Sequence, residues 1–153
     1  MTRKEVRANA MKLLYAYSMR DDTMEALYAV AEADEDAEIQ VNDAVRELTD
    51  GALSHLDELD EKIQQFSPKR SISRIPKLSL AVLRLAIYEI LYDDGTPVNA
   101  AVSEAVLLAE QYSPAEEDVR FINGLLGAFA RSQQPAEEPA ESAAATAEDN
   151  SAS

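Results

Sequence analysis

The chain has 153 residues, no cysteine, 46% apolar residues and a net charge of -15. That length favours one domain with a real core; the missing cysteines exclude disulfides, thiolate nucleophiles and zinc-thiolate sites. No apolar run approaches the roughly 18 residues of a membrane span, and the N-terminus lacks a signal-peptide h-region, so a cytoplasmic protein is expected with no membrane partner.

Residues 2–17 predict the first helix. Thr2 and Glu5 have capping-box spacing, and Val6, Ala10, Leu13 and Tyr17 follow at helical intervals. A shorter helix should start near Asp22 and Glu25 and carry Met24, Leu27, Tyr28 and Ala31 inward. The acidic "EADEDAE" reads as a loop. One long stripe then runs through Val41, Val45, Leu48, Ala52, Leu56, Leu59, Ile63 and Phe66. Gly51 within it predicts a bend or a small-residue contact, since glycine costs a helix about 1 kcal/mol relative to alanine.

Ser67-Pro68 ends that stripe and a basic linker follows. Pro76 suits the first turn of the next helix, which should run to about Tyr92. "DDGTP" is a turn, Asn99 can cap a helix through Gln111, and "SPAE" or Asp118 starts the last helix, to Arg131. Asn123-Gly124, inside that helix, predicts close packing. No period-two pattern and no internal repeat is evident. The fold class expected is all-α: a single compact domain of six or seven helices over residues 1–131, with a disordered acidic tail over 132–153. The tail holds five acids, no base and no apolar residue larger than alanine.

"LRLAIYEIL" (83–91) is apolar nearly all round, as befits the central helix of a bundle. Its two charges, Arg84 and Glu89, are five residues apart and pair poorly with each other. Each should find a partner on a neighbouring helix, because an uncompensated buried charge costs several kcal/mol. Glu104 is the expected partner of Arg84, a structural ion pair.

Catalytic chemistry finds no support. His55, the one histidine, is two residues from Asp57 on the expected helix and points away from it, which makes it a solvated residue. The paired acids sit in no motif, "DDG" lacks the rest of a calcium loop, and there is no phosphate-binding glycine loop. No metal and no cofactor are expected.

Charge is unevenly spread. Residues 1–20 hold five bases against Glu5 alone, and residues 62–84 hold six bases and no acid, whereas residues 21–61 hold Arg46 against 15 acids. Such islands predict convergence on a polyanion, with the acidic remainder discouraging indiscriminate binding.

Four segments, "ANAMKLLYAY", "AVLRLAIYEIL", "TPVNAAVSEAVLLAEQY" and "RFINGLLGAF", occur in the order and near the spacing of the NusB family of transcription antitermination factors, which the chain resembles over residues 1 to about 131. The resemblance implies a helical, non-enzymatic protein. It would bind single-stranded boxA-like RNA in nascent ribosomal RNA transcripts, with NusE, a small-subunit ribosomal protein, in the transcription elongation complex. By the same resemblance Arg3, Lys4 and Arg7 form the basic N-terminal RNA contact, Phe66 and Phe121 are aromatic positions near RNA, and Tyr15 faces NusE. Ser79 stands where the family commonly has a partner-facing acid, and Ser103 replaces the asparagine of its "NEA" helix. Lys69 and Arg70 join the RNA-binding set from the charge island alone. Two alternatives stand beside this reading: a diverged helical adaptor that binds protein only, and a stand-alone relative of the N-terminal domain of ribosomal RNA cytosine methyltransferases. No glycine-rich cofactor domain is present for a complete enzyme of that kind. Whether the chain is a monomer or a homodimer stays open.

Overall fold

The computed structural model describes residues 1–133, and the 132–153 tail expected from sequence lies almost wholly outside them. The described residues form seven α-helices and one short 3-10 turn. In chain order these are α1 (Arg3–Met19), α2 (Met24–Glu32), α3 (Asp43–Ser54), α4 (Leu56–Gln65), the turn Ile72–Arg74, α5 (Lys77–Tyr92), α6 (Val98–Tyr112) and α7 (Glu116–Ser132). Helix α5 is the axle, packed against α1, α3, α4, α6 and α7. Ser79 through Ile87 are buried without interruption along it.

Local chemistry sets most helix starts. Thr2 Oγ1 accepts from the Glu5 amide at 3.1 Å and Glu5 Oε1 accepts from the Thr2 amide at 2.7 Å, a complete capping box. Thr23, rather than Asp22, caps α2 by accepting from the Ala26 amide at 3.1 Å. Asn42 caps α3, its Oδ1 accepting from Val45 at 2.8 Å. Asn99 and Ser113 do not cap: α6 follows directly on Pro97, and α7 begins at Glu116 with three acids in its first turn. There the acids complement the positive end of the helix dipole.

The expected stripe from Val41 to Phe66 is two helices. The chain breaks at His55, whose backbone leaves the helical region while Ser54 Oγ donates to the Gly51 carbonyl at 2.9 Å. Gly51 supplies the predicted small-residue contact, because a Cβ there would collide with the hydroxyl of Tyr88 on α5. His55 is not a solvated residue. It is half-buried, with its ring centroid 4.2 Å from that of Tyr92 and 5.8 Å from that of Tyr88. Gly124 also departs from expectation: a Cβ there would meet nothing within 4 Å, so close packing does not explain it.

The charges of α5 do find partners on other helices, but Arg84 does not use Glu104. Its Nε and Nη2 donate to the two oxygens of Asp60 on α4 at 2.8 and 2.9 Å. Glu104 instead accepts from Lys4 Nζ at 3.1 Å on the α1 side. Asp60 wins because α4 crosses the face of α5 that presents Arg84. Glu89, 1% exposed, accepts from Arg7 Nε at 2.9 Å and from Arg3 Nη2 at 3.2 Å.

Candidate nucleic-acid interface

The second basic island forms a surface loop between α4 and α5, and Gln64 organises it. Its Nε2 donates to the carbonyls of Ser67 and Arg70 at 2.9 and 3.1 Å, and its Oε1 accepts from the Ile72 amide at 2.9 Å. Ser67 Oγ adds a bond to the Arg70 carbonyl at 2.8 Å. The loop is therefore held in one shape before any ligand arrives, which lowers the ordering cost of binding.

Two aromatic contacts lay this loop along α7. The ring of Phe66 meets Phe129 edge-on at 5.5 Å, and the Arg70 guanidinium lies 4.6 Å from the centroid of Phe121. Phe66, Arg70 and Phe121 are each half-buried; Lys69, Arg74 and Lys77 are exposed. Arg70 Nη1 is buried and has no hydrogen-bond partner. Among the described residues no carboxylate lies within ion-pair distance of Lys62, Lys69, Arg70, Arg74 or Lys77. Unneutralised cations beside a planar guanidinium on an aromatic ring suit phosphates and unpaired bases together.

The first island is built differently. Arg7 is 7% exposed and committed to Glu89. Arg3 Nη2 bridges Glu89 and Asp93, the latter at 3.0 Å, and Lys4 pairs with Glu104. Asp93 is held below the ordinary aspartate range: burial pushes its carboxyl up, but hydrogen bonds from Thr96 and the Gly95 amide, with the Arg3 cation, outweigh it. Arg3 and Arg7 sit at the C-terminal end of α5, whereas Lys77 starts that helix. Twelve residues separate Lys77 from Glu89, about 18 Å at the helical rise. The Arg3 and Arg7 end of the first island thus stands apart from the loop, whereas Lys12 lines a groove with Leu78, the neighbour of Lys77, and Arg7 is a buried tie to Glu89. A cleft of about 450 Å³ near the first island, lined by Arg3, Glu47, Tyr88, Tyr92, Asp93 and Thr96, has the wrong sign for phosphate.

Of the two positions expected to face a partner protein, Tyr15 is 37% exposed and lines a groove with Lys12, Met19, Glu38, Ile39 and Tyr112. Ser79 does not face outward. It is 1% exposed with an unpartnered hydroxyl, on the central helix that α1, α3, α4, α6 and α7 surround. The neighbouring Leu78 reaches the Tyr15 groove instead.

Sequence reasoning missed Gln64, Arg74 and Lys77 as members of the loop site. The acid-free run from 62 to 84 pointed to the two cations; nothing local marks Gln64, whose role depends on the path of the loop. Among the described residues no group of three or more His, Asp or Glu side chains could hold a metal ion. No helix there is long and apolar enough to cross a membrane.

The NusB family model matches residues 4–131. The transcription antitermination protein NusB of Thermoanaerobacter sp. (strain X514) is 38% identical over 137 residues, which cover 87% of this chain and 93% of that protein. That of Acetivibrio thermocellus is 39% identical over 129 residues, covering 83% and 87%. Among solved structures, T. maritima NusB superposes with a TM-score of 0.76 at 27% identity, covering 88% of this chain and 94% of that one. A NusB chain crystallised as the antitermination factors NusB and NusE in complex with dsRNA gives 0.72 at 27% identity, covering 85% and 96%. By its family match, its relatives and its helical architecture, the chain belongs to the NusB family.

Proposed function

We propose that the protein is a transcription antitermination factor that binds boxA-type RNA in nascent ribosomal RNA transcripts together with NusE. The observation that carries the reading is the loop from Phe66 to Lys77, with its unpaired cations and Arg70 stacked on Phe121. Here the loop supplies most of the RNA grip, and the N-terminal bases supply less, since Arg3, Lys4 and Arg7 each already face a carboxylate. The Tyr15 groove, edged by Leu78, receives NusE on the α1 side of the molecule. The protein works as a non-enzymatic binding factor of the elongating polymerase in the cytoplasm.

The related NusB and NusE were crystallised with double-stranded RNA, so strandedness belongs in the test. Binding is measured to single-stranded boxA RNA, a scrambled control and a duplex of the same sequence, each with and without NusE. The expected order is boxA first, with NusE tightening it. A duplex buries its base faces and leaves Arg70 and Phe121 nothing to stack on. Equal binding of all three RNAs would reduce the loop to a phosphate-binding surface. NusE binding with no RNA binding would leave the protein-only adaptor.

A further inference from the structure

The acid-free loop is less neutralised than most of the surface. Arg3, Lys4, Arg7, Lys12, Arg20, Arg46, Arg84 and Arg120 each have a carboxylate within 4 Å. Lys62, Lys69, Arg70, Arg74 and Lys77, and Arg131 at the end of α7, have none among the described residues, in a chain of net charge -15. The complementary charge lies in the last nineteen residues, Pro135–Ser153, which hold Glu137, Glu138, Glu141, Glu148 and Asp149 and no base.

Helix α7 ends beside the start of the loop. Phe129, three residues before the end of α7, touches Phe66 at the start of the loop, and Phe121 further up α7 holds Arg70. Glu137 is five residues beyond Ser132, a reach of up to about 17 Å in extended chain. We propose that the acidic C-terminal segment occupies the Lys69–Lys77 loop in cis when no RNA is present and competes with RNA for it. A tethered competitor acts at high local concentration even when each ion pair is weak, so it screens out loosely held polyanions and yields to a strand that also stacks. The competition rests on the RNA reading above; the contact itself does not.

The absence of native cysteine permits a single spin label at Ser142→Cys, between Glu141 and Glu148. In the labelled full-length protein, amide signals of Lys69 to Lys77 should broaden at low salt. They should recover near about 1 M salt, where the Debye length falls to about 3 Å. Broadening elsewhere, or none, overturns the proposal. In parallel, the full chain with Glu137→Gln, Glu138→Gln, Glu141→Gln, Glu148→Gln and Asp149→Asn should bind boxA RNA about threefold to fivefold more tightly at low salt, the gap closing as salt rises. Unchanged affinity at every salt concentration also overturns the competition. If neither protein binds RNA while the loop still broadens, the RNA reading fails and the contact stands.

Discussion

Arg7 of α1 and Glu89 of α5 meet at 2.9 Å with both side chains under 10% exposed, and they clamp the first helix to the central one. Residues 82 positions apart in sequence thereby close one side of the core. Removing one partner leaves the other charged and desolvated. Arg7→Ala should cost about 3–5 kcal/mol in urea unfolding, nearer the lower figure because Arg3 still reaches Glu89. A loss under about 1 kcal/mol would show that Arg3 alone satisfies Glu89.

The second ion pair is more open, since Asp60 is 30% exposed. Its two parallel hydrogen bonds still make it a directional tie between α4 and α5. Arg84→Ala and Asp60→Ala should each destabilise by about 2–3 kcal/mol, and by less than the sum when combined. Glu104→Ala, which removes only the partner of exposed Lys4, should stay within about 0.5 kcal/mol of the parent. A large effect at Glu104 would restore it as a structural residue.

These pairs mark where sequence reading succeeds and stops. The Thr2–Glu5 box and the apolar stripes are local, so the all-helical fold and most boundaries were legible. Partner choice was not. Asp60 and Glu104 are equally plausible acids for Arg84 until α4 is known to cross α5, and Arg3 meets Glu89 and Asp93 from 86 and 90 residues away. The break at His55 was invisible because the apolar spacing passes through Ser54-His55 unbroken. Ser79 fits a surface or a tightly packed helix equally well. Of the proposed site, the acid-free run revealed the loop, whereas only the fold shows that Arg70 lies on Phe121 and that the N-terminal bases are already paired.

Two glycines make opposite predictions. At Gly51 a methyl group would strike Tyr88, so Gly51→Ala should cost about 1–3 kcal/mol through overpacking. Tyr88→Leu in the same chain should recover part of that loss in a double-mutant cycle. Gly124 faces open space in mid-helix, and Gly124→Ala should stabilise by about 0.5–1 kcal/mol. Thermal and urea unfolding of the three single variants and of the Gly51→Ala, Tyr88→Leu double variant decide both cases.

Asp93 gives the acid response its direction. Its carboxyl sits below the ordinary aspartate value of about 3.9, so the unfolded chain binds the proton more readily than the folded one. The resulting stability is fully present above about pH 4 and is lost as the pH falls through the lower native value. Asp93→Asn should be less stable than the parent at pH 7, and the gap should narrow below about pH 4. Parallel melting curves from pH 7 to pH 2 would assign the acid response to other carboxylates.

The two basic islands can be separated by salt dependence. Replacing Lys69, Arg74 and Lys77 with alanine should weaken binding to every RNA and flatten the salt slope by about 0.7 for each phosphate no longer neutralised, about 2 in all. Replacing Arg3 and Lys4 should flatten it less, since those cations already face Asp93, Glu89 and Glu104. Phe121→Ala tests the stacking part. If a base stacks on the Arg70–Phe121 pair, binding should fall by about 1–3 kcal/mol with the slope little changed. A purely packing role predicts instead a loss of folding stability of about 3–5 kcal/mol. Phe121 is half-buried, so some stability should be lost in either case, and binding must be measured on the folded fraction. If that fraction binds boxA RNA as the parent does, Phe121 is a packing residue, and the RNA grip of the loop is electrostatic alone.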